Sequence, residues 1–351
     1  MERVPAVAAT TALALVAFVA HAYLRSRERA HEIERYASGE RGEHAAADAP
    51  CAVFRRLDGK VCVITGAAHG IGRAIALRCA LEGASVVVLV DLPSEAEGFS
   101  SAVNAASKAV FDAFLAGVGG QVAFLSCDVT DGEQVAATMK EVRRRFGTLH
   151  VLFANAGVPS SGKPLYMETG RDFDRVLSVN VGGVFRCAKH AIPLLLGNGG
   201  AGCRARGSII TTGSVFGTLA SHNAAAYVAS KAAVAALTRA LALELGPSGI
   251  RVAGVEPGFI DNDMGRRRKS MAEGRARETL GKRRQTAALA PAGREGSVAE
   301  VAAAAAVWLA SEEAAFVTGT MLRVDGGLSC TFNSGARTHR AFEEGSLLVA
   351  A

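Results

Sequence analysis

The sequence predicts an α/β protein in which one doubly wound, parallel sheet of about seven strands forms most of the chain. Short apolar runs alternate with helix-length stretches from Leu57 onward, which implies parallel strands joined by right-handed crossovers and covered by helices on both faces. Only 6% of the residues are aromatic and 39 are glycine, which suits buried strands and tight turns. A single domain is the economical arrangement for these elements.

The elements follow one another in strict alternation. Strands are predicted at residues 61–65, 86–90, 122–125, 151–154, 208–212, 251–255 and 321–324. Helices are predicted at 71–82, 133–146, 172–196, 224–245 and 298–310.

The N-terminal segment is apolar and differs from the rest of the chain. Residues 4–24 contain no Asp, Glu, Lys or Arg, and about 20 such residues can span a bilayer as a helix. Arg25, Arg27 and Arg29 follow directly, so the positive-inside rule places the bulk of the chain in the cytoplasm. We expect a hydrophobic helix at 1–24 that anchors the protein to a membrane, such as the endoplasmic reticulum, and a charged linker at 25–56. A cleaved signal or transit peptide is the alternative.

Charge and cysteine usage exclude two classes of partner. The formal net charge is +6, but residues 265–284 alone carry a balance of +7, so the remainder is nearly neutral and no nucleic-acid binding is predicted. The seven cysteines show no metal-ligand spacing. We therefore expect no metal site, and reduced, buried thiols.

The first predicted strand runs directly into a glycine-rich loop that opens a helix. Glycines let the backbone approach a diphosphate, whose negative charge is favoured at the start of a helix. Strand, loop and helix together predict the dinucleotide site of a Rossmann-type domain. The expected contacts are Thr65, Gly66, His69, Gly70, Ile71 and Gly72.

Asp91 ends the second predicted strand and indicates which dinucleotide binds. A carboxylate at this position can accept hydrogen bonds from a ribose 2′-hydroxyl and repels a 2′-phosphate, which favours NAD over NADP. Further cofactor contacts are expected after the third and fourth strands. These are Asp128, Val129, Asn155, Ala156 and Gly157.

Tyr227 and Lys231 form a chemical pair on one predicted helix. Because they are four residues apart, both side chains project from the same helix face. A phenol has a pKa near ~10, and an ammonium within about 4 to 6 Å lowers such a pKa by roughly 1 to 3 units. The pair is therefore suited to general acid/base chemistry.

Taken in order, these motifs resemble the short-chain dehydrogenase/reductase family over about residues 57–328. The residues that carry the resemblance are Thr65 to Gly72, Asn155 to Gly157, Asn180, Ser214, Tyr227 to Lys231, Pro257, Gly258 and Asp325 to Gly327. The resemblance implies a domain at 57–330, with a substrate lid at 264–296 and a C-terminal tail at 331–351. Residues 92–121 and 196–207 are longer than is usual in this family, and we expect surface elaborations there.

The same resemblance implies a role for each catalytic candidate. Tyr227 is the proton donor or acceptor, and Ser214 hydrogen-bonds the substrate oxygen. Lys231 lowers the pKa of the phenol and holds the nicotinamide ribose, and Tyr227 contacts the cofactor as well. Asn180 keeps a water molecule in the proton path. Further cofactor contacts are implied at Pro257, Gly258, Ile260 and Asn262, where Asn262 replaces a common threonine.

The predicted function is an NAD(H)-dependent oxidoreductase that interconverts a secondary alcohol and a ketone on a small, lipophilic substrate. The family resemblance implies a homodimer or homotetramer formed through the helices that carry Asn180 and Tyr227. The alternative is a catalytically silent dinucleotide sensor or membrane-associated scaffold. The basic cluster in the lid either meets an anionic ligand or is a solvated surface.

Overall fold

The computed structural model describes residues 55–92, 120–199, 203, 205–261 and 289–331. The expected N-terminal helix at 1–24, nearly all of the linker, Asn262, most of the lid and nearly all of the tail lie outside the described residues. Membrane attachment and the location of the protein in the cell therefore stay predictions.

The predicted strands form one parallel sheet. They are β1 (Val61–Thr65), β2 (Val86–Asp91), β3 (Gln121–Ser126), β4 (Val151–Ala154), β5 (Gly207–Thr212), β6 (Ile250–Pro257) and β9 (Met321–Val324). Their order in the sheet is β3-β2-β1-β4-β5-β6-β9. Two short strands, β7 (Ile260–Asp261) and β8 (Gly296–Ser297), pair separately where the predicted lid joins the domain. The predicted doubly wound class is confirmed.

The helices also match the prediction, except that two of them contain a wider turn. The helices are α1 (Gly70–Leu81), α2 (Gly132–Phe146), α3 (Gly170–Leu177), α4 (Gly183–Leu196), α5 (Ala225–Leu245), α6 (Val298–Glu300) and α7 (Val307–Ala310). The π turn Ser178–Gly182 joins α3 to α4, and Val301–Ala306 joins α6 to α7. Short 3₁₀ helices lie at Leu165–Met167, Val215–Gly217, Gly246–Ser248, Glu312–Ala314 and Leu328–Cys330.

Two hydrophobic cores lie on opposite faces of the sheet. Ile64 of β1 packs with Ile75 of α1 on one face, whereas its neighbour Val63 packs with Met139 of α2 on the other. A strand buried on both faces has an unbroken apolar sequence, which is why β1 was predictable. The chain leaves the centre of the sheet in opposite directions from β1 and β4, and this switch point opens a crevice at their carboxyl ends.

Helix α5 belongs to the core, although it is long and apolar. Ala225–Ser248 is the one helical stretch among the described residues that could cross a membrane by length and composition. Its residues Val234 and Ala242 are buried within the domain. Leu243 of α5 is 82% exposed and Phe185 of α4 is 52% exposed. These apolar surfaces favour the predicted pairing of two copies through α4 and α5, which stays a prediction.

Candidate active site

Asn155 ties together the carboxyl ends of three neighbouring strands. Its backbone N donates to Thr65 Oγ1 at 3.0 Å, and its Nδ2 donates to Thr65 O at 3.0 Å. Its Oδ1 accepts a hydrogen bond of 3.1 Å from Thr212 Oγ1. The backbone N of Ala156 also donates to Thr65 Oγ1, at 3.1 Å. Thr65, Asn155 and Ala156 therefore form the floor of the crevice, and the Thr65 hydroxyl is engaged by the start of the β4 loop.

The glycine loop is as compact as the sequence predicts. Gly66 and Gly70 have φ angles of +65° and +52°, in the left-handed region that favours glycine. A Cβ atom on Gly66 would lie 2.9 Å from Ala156 Cα, and one on Gly72 would lie 2.1 Å from Gly66 O. The backbone of this loop therefore approaches the end of β4 more closely than any side chain permits.

The start of α1 suits an anionic ligand. His69 is the N-cap residue, yet its side chain does not cap the backbone N–H groups of this helix. The first turn carries no acidic side chain. It includes Ile71, which packs against the core through partly buried atoms. The positive end of α1 thus lies at the switch point without a carboxylate of its own, and this arrangement fits the diphosphate of a dinucleotide.

The Asp91 carboxylate lies at the end of β2 and holds the glycine loop. Its Oδ2 accepts a hydrogen bond of 2.7 Å from the backbone N of Ala68, and its Oδ1 accepts one of 2.9 Å from Leu92 N. The residue predicted to recognise the ribose is therefore also bonded to the loop predicted to bind the diphosphate.

Asp128 and Val129 form the turn after β3. Asp128 Oδ1 accepts hydrogen bonds from both N and Oγ1 of Thr130, each at 2.8 Å. Val129 is buried, and a Cβ atom on Gly183 would lie 2.8 Å from Val129 Cγ2. This turn packs tightly against the start of α4, and the adenine contact expected from it stays a prediction.

Ser214, Tyr227 and Lys231 meet near the carboxyl end of β5. The Ser214 hydroxyl hydrogen-bonds the Tyr227 phenol and accepts a bond of 3.2 Å from Phe216 N. Lys231 Nζ lies 5.6 Å from the centroid of the Tyr227 ring and donates to the carbonyl O of Thr212 at 2.7 Å. The spacing of four residues on α5 therefore brings the two side chains together as predicted.

Asn180 joins this group from the π turn between α3 and α4. It is 1% exposed, and its Nδ2 donates to Ser230 Oγ at 2.9 Å. Its Nδ2 also donates to Val158 O at 3.0 Å, and its Oδ1 accepts a hydrogen bond of 2.8 Å from Val158 N. A Cβ atom on Gly157 would lie 3.3 Å from Asn180 Oδ1 and 3.5 Å from Lys231 Nζ. The amide is therefore held by protein groups on both sides, and the water-holding role expected of Asn180 stays a prediction.

Burial dominates the ionisation of the tyrosine and the lysine. It raises the pKa of Tyr227 above its ordinary value, and the hydrogen bond from Ser214 acts in the opposite direction. Burial also lowers the pKa of Lys231 from 10.5 to about 8. The expectation that Lys231 lowers the pKa of the phenol is not met in this structure. Nζ bonds the Thr212 carbonyl, and a low-dielectric environment disfavours the charged form of both groups.

The residues after β6 form the edge where the predicted lid begins. Gly258 N donates to Val324 O at 3.0 Å, and a Cβ atom on Gly258 would lie 2.8 Å from Asp325 Cα. Pro257 ends β6, and Ile260 lies in β7, where it pairs with β8. Gly258 and Ile260 are thus bonded to neighbouring strands, and their contact with a cofactor stays a prediction.

Sequence reasoning missed three hydroxyl residues of this site. The Ser160 hydroxyl accepts a hydrogen bond of 2.9 Å from the backbone N of Tyr227, and the Ser230 hydroxyl donates to Tyr227 O at 2.7 Å. Thr212 binds both Asn155 and Lys231. Ser230 and Thr212 were accessible to reasoning, because one precedes Lys231 on α5 and the other ends a predicted strand. Ser160 gave no signal, since it lies 67 residues away from its partner.

The doubly wound sheet, with its glycine loop at the switch point and a hydrogen-bonded tyrosine near the end of β5, defines a dinucleotide-dependent oxidoreductase. More narrowly, the chain belongs to the short-chain dehydrogenase/reductase family. A family model described as enoyl-(acyl carrier protein) reductase matches residues 66–329. The predicted resemblance is confirmed.

Relatives of known activity cover the same part of the chain. It is 36% identical to a 3-oxoacyl-[acyl-carrier-protein] reductase of Thermotoga maritima, over 78% of this chain and 99% of that protein. It is 37% identical to a cis-4-hydroxycyclohexanecarboxylate dehydrogenase of Sinomonas cyclohexanicum, over 76% of this chain and 96% of that protein. The crystal structure of levodione reductase superposes with a TM-score of 0.69 at 32% identity, covering 79% of this chain and 100% of the reductase. The chain is therefore an oxidoreductase that acts on alcohol- or ketone-type substrates with a nicotinamide dinucleotide.

Proposed function

We propose that this protein is an NAD(H)-dependent oxidoreductase that interconverts a secondary alcohol and a ketone on a small, lipophilic molecule. The observation that carries the proposal is that Ser214, Tyr227 and the buried Lys231 come together near the carboxyl end of β5. This group lies at the same edge of the sheet as the glycine loop, so a substrate oxygen bound by the two hydroxyls is close to the cofactor crevice.

The chemistry divides between the cofactor and the chain. When bound, the nicotinamide group supplies or accepts the hydride. The Tyr227 phenol gives a proton to the substrate oxygen during ketone reduction and takes it back during alcohol oxidation. The Ser214 hydroxyl donates to the same oxygen, on which negative charge develops. Lys231, oriented by the Thr212 carbonyl, keeps a positive charge beside the phenol and has further donors for ribose hydroxyls.

An aromatic wall beside the tyrosine supports a lipophilic substrate. Phe216 packs edge-on against the Tyr227 ring, with centroids 6.5 Å apart, and against the Phe259 ring at 6.0 Å. Phe259 in turn packs on a buried cluster that includes Val215 and Leu328. Such a wall favours an apolar carbon skeleton around the reacting carbon.

A substrate panel tests the proposed reaction. Cis-4-hydroxycyclohexanecarboxylate, a hydroxysteroid, a 3-hydroxyacyl thioester, retinol and a polyol are each supplied with NAD, and NADH absorbance is followed. We expect turnover with one or more of the cyclic or acyl secondary alcohols. Turnover with the polyol alone contradicts the lipophilic pocket, and turnover with retinol alone contradicts the preference for secondary alcohols. Dinucleotide binding without turnover of any panel member favours the silent sensor.

The preference for NAD is tested at Asp91. We expect Asp91→Ala to lower the ratio of kcat/KM for NAD to that for NADP by about tenfold. The reason is that two like charges about 4 Å apart near a protein surface repel by roughly 1–4 kcal/mol, a repulsion lost with the carboxylate. The ratio is measured by steady-state kinetics with both cofactors and one panel alcohol.

The matched variant Asp91→Asn separates charge from loop anchoring. Its amide oxygen can still accept the hydrogen bond from Ala68 N, so the ratio should fall as in Asp91→Ala while affinity for NAD is better retained. An unchanged ratio in both variants means that Asp91 does not face the ribose.

A further inference from the structure

Helix α5, which carries the reacting tyrosine, begins without a capping side chain of its own. Its N-cap residue is Ala224, and Ala225 and Ala226 follow. The first N–H groups of a helix have no acceptor within the helix, and buried ones need a partner from elsewhere. Tyr227 is the third residue of this turn, so its own N–H group is among those that need a partner.

Ser160 supplies the missing acceptor from the loop that follows β4. Its Oγ accepts the hydrogen bond from the backbone N of Tyr227 at 2.9 Å. A serine oxygen that accepts from the third N–H group of a helix performs the same function as an N-cap side chain. Here the cap comes from a distant loop, and it acts on the residue that reacts.

The same contact belongs to a connected set of hydrogen bonds and loop residues around the backbone of Tyr227. Its carbonyl O accepts from Ser230 Oγ at 2.7 Å, and Ser230 Oγ accepts from Asn180 Nδ2 at 2.9 Å. Asn180 bonds both the N and the O of Val158, which lies two residues before Ser160. Both peptide groups of Tyr227 are therefore held by one connected set of residues, and Ser160 is its link to the start of α5.

We propose that Ser160 is a positioning residue for Tyr227, because its hydroxyl holds the first turn of α5 where the phenol meets Ser214. This inference rests on the proposed function, in which that phenol transfers the proton. Without the Ser160 hydroxyl, the backbone N of Tyr227 loses its acceptor and the first turn of α5 loosens. Ser160 lies three residues after Gly157 in the loop that follows β4, so a displacement of this loop reaches the tyrosine through the hydrogen bond to its backbone N.

The test compares Ser160→Ala with Ser160→Thr, which keeps a hydroxyl. With the panel alcohol that gives the highest turnover, we expect Ser160→Ala to lower kcat by about tenfold, because small misplacements of a reacting group slow catalysis strongly. The dissociation constant for NADH should change less than twofold. Ser160→Thr should restore most of kcat.

Thr169→Ala is the matched control for the loss of a helix cap. The Thr169 hydroxyl accepts from Asp172 N at 3.1 Å at the exposed start of α3. Removing this cap leaves the bond between Ser160 and Tyr227 in place, so kcat should be unchanged. A tenfold loss in Thr169→Ala as well would assign the effect to capping in general and overturn the specific role of Ser160.

The pH profile distinguishes positioning from a general loss of structure. The hydrogen bond from Ser214 lowers the pKa of Tyr227 against the effect of burial. Lys231 is the charged group that faces the ring. When the phenol moves away from Ser214, its pKa rises further, so the profile of kcat for alcohol oxidation shifts to higher pH in Ser160→Ala. A smaller fraction of correctly folded enzyme lowers kcat without such a shift.

The outcomes separate this inference from the proposed function. An unchanged kcat and pH profile in Ser160→Ala, together with an inactive Tyr227→Phe, overturns the positioning role and leaves the proposed function intact. Full turnover in Tyr227→Phe overturns the proposed function itself. If Ser160→Ala does not fold, Ser160→Thr and Ser160→Val make the same comparison with side chains of equal shape, and identical pH profiles in those two overturn the inference.

Discussion

Replacing Tyr227 with phenylalanine is expected to lower kcat by about two to four orders of magnitude, the contribution of a positioned general acid or base. The change removes one oxygen atom and leaves the ring, which packs against Phe216 and lies beneath Lys231 Nζ. Because those contacts remain, the affinity for NADH should change by less than about threefold, or 0.7 kcal/mol. The two quantities are measured by turnover of a panel alcohol and by fluorescence titration with NADH.

Tyr166→Phe provides the control for this substitution. Tyr166 is 87% exposed, so the same chemical change on the surface should leave kcat unaltered. Retention of a tenth or more of the original turnover in Tyr227→Phe contradicts proton transfer by this phenol. Because the alternative of a silent dinucleotide sensor depends only on binding, it predicts that the variant keeps every property of the parent protein.

The predictability of the fold follows from how its elements are buried. Strands β1 and β4 begin and end where the sequence predicts, because a strand covered on both faces has an unbroken apolar sequence. The predicted helix at 172–196 is instead two helices joined by a π turn. Such a turn adds one residue to a helical repeat and leaves the composition of the segment unchanged.

The neighbours of that π turn become visible only in three dimensions. A Cβ atom on Gly182 would lie 2.5 Å from Arg186 Nη1, and one on Gly183 would lie 2.8 Å from Val129 Cγ2. Arg186 Nη1 donates to Ser178 O at 3.3 Å, which gives a partner to a carbonyl at the start of the turn. The two glycines are visible in the sequence, but the side chains that pack against them are not.

The catalytic candidates illustrate the same limit. The spacing on α5 predicts that Tyr227 and Lys231 are close, because helix geometry is local. Their protonation could not be predicted from that spacing, since it depends on burial by β5, the Ser214 turn and the β4 loop. The direction of the pKa shift of Tyr227 is therefore opposite to the sequence-based expectation.

The buried Lys231 leads to a prediction in which stability and activity change in opposite directions. Its pKa falls from 10.5 in the unfolded chain to about 8 in the folded protein, so the folded protein binds a proton at Lys231 more weakly than the unfolded chain does. Below pH 8 this difference destabilises the protein by about 3 kcal/mol, at 1.36 kcal/mol per unit. As the pH rises from 8 towards 10.5, the unfolded state binds more protons than the folded state, and the penalty disappears.

We therefore expect Lys231→Met to raise the free energy of unfolding by about 2 kcal/mol at pH 7, while kcat falls by about a hundredfold or more. The figure of 2 kcal/mol is the relieved penalty less about 1 kcal/mol for the lost hydrogen bond to Thr212 O. The gain should shrink as the pH approaches 10, which urea unfolding at several pH values measures directly.

The control for this substitution is Lys140→Met, which makes the same change on the exposed surface of α2 and should leave both stability and turnover nearly unchanged. If Lys231→Met lowers stability equally at every pH, the lysine is not a source of strain in the folded protein. If stability rises and turnover is lost, a buried cation that weakens the fold is retained for its position beside the phenol. That result would link the stability of the domain directly to its chemistry, because the same desolvation that disfavours the ammonium also keeps solvent from the reacting tyrosine.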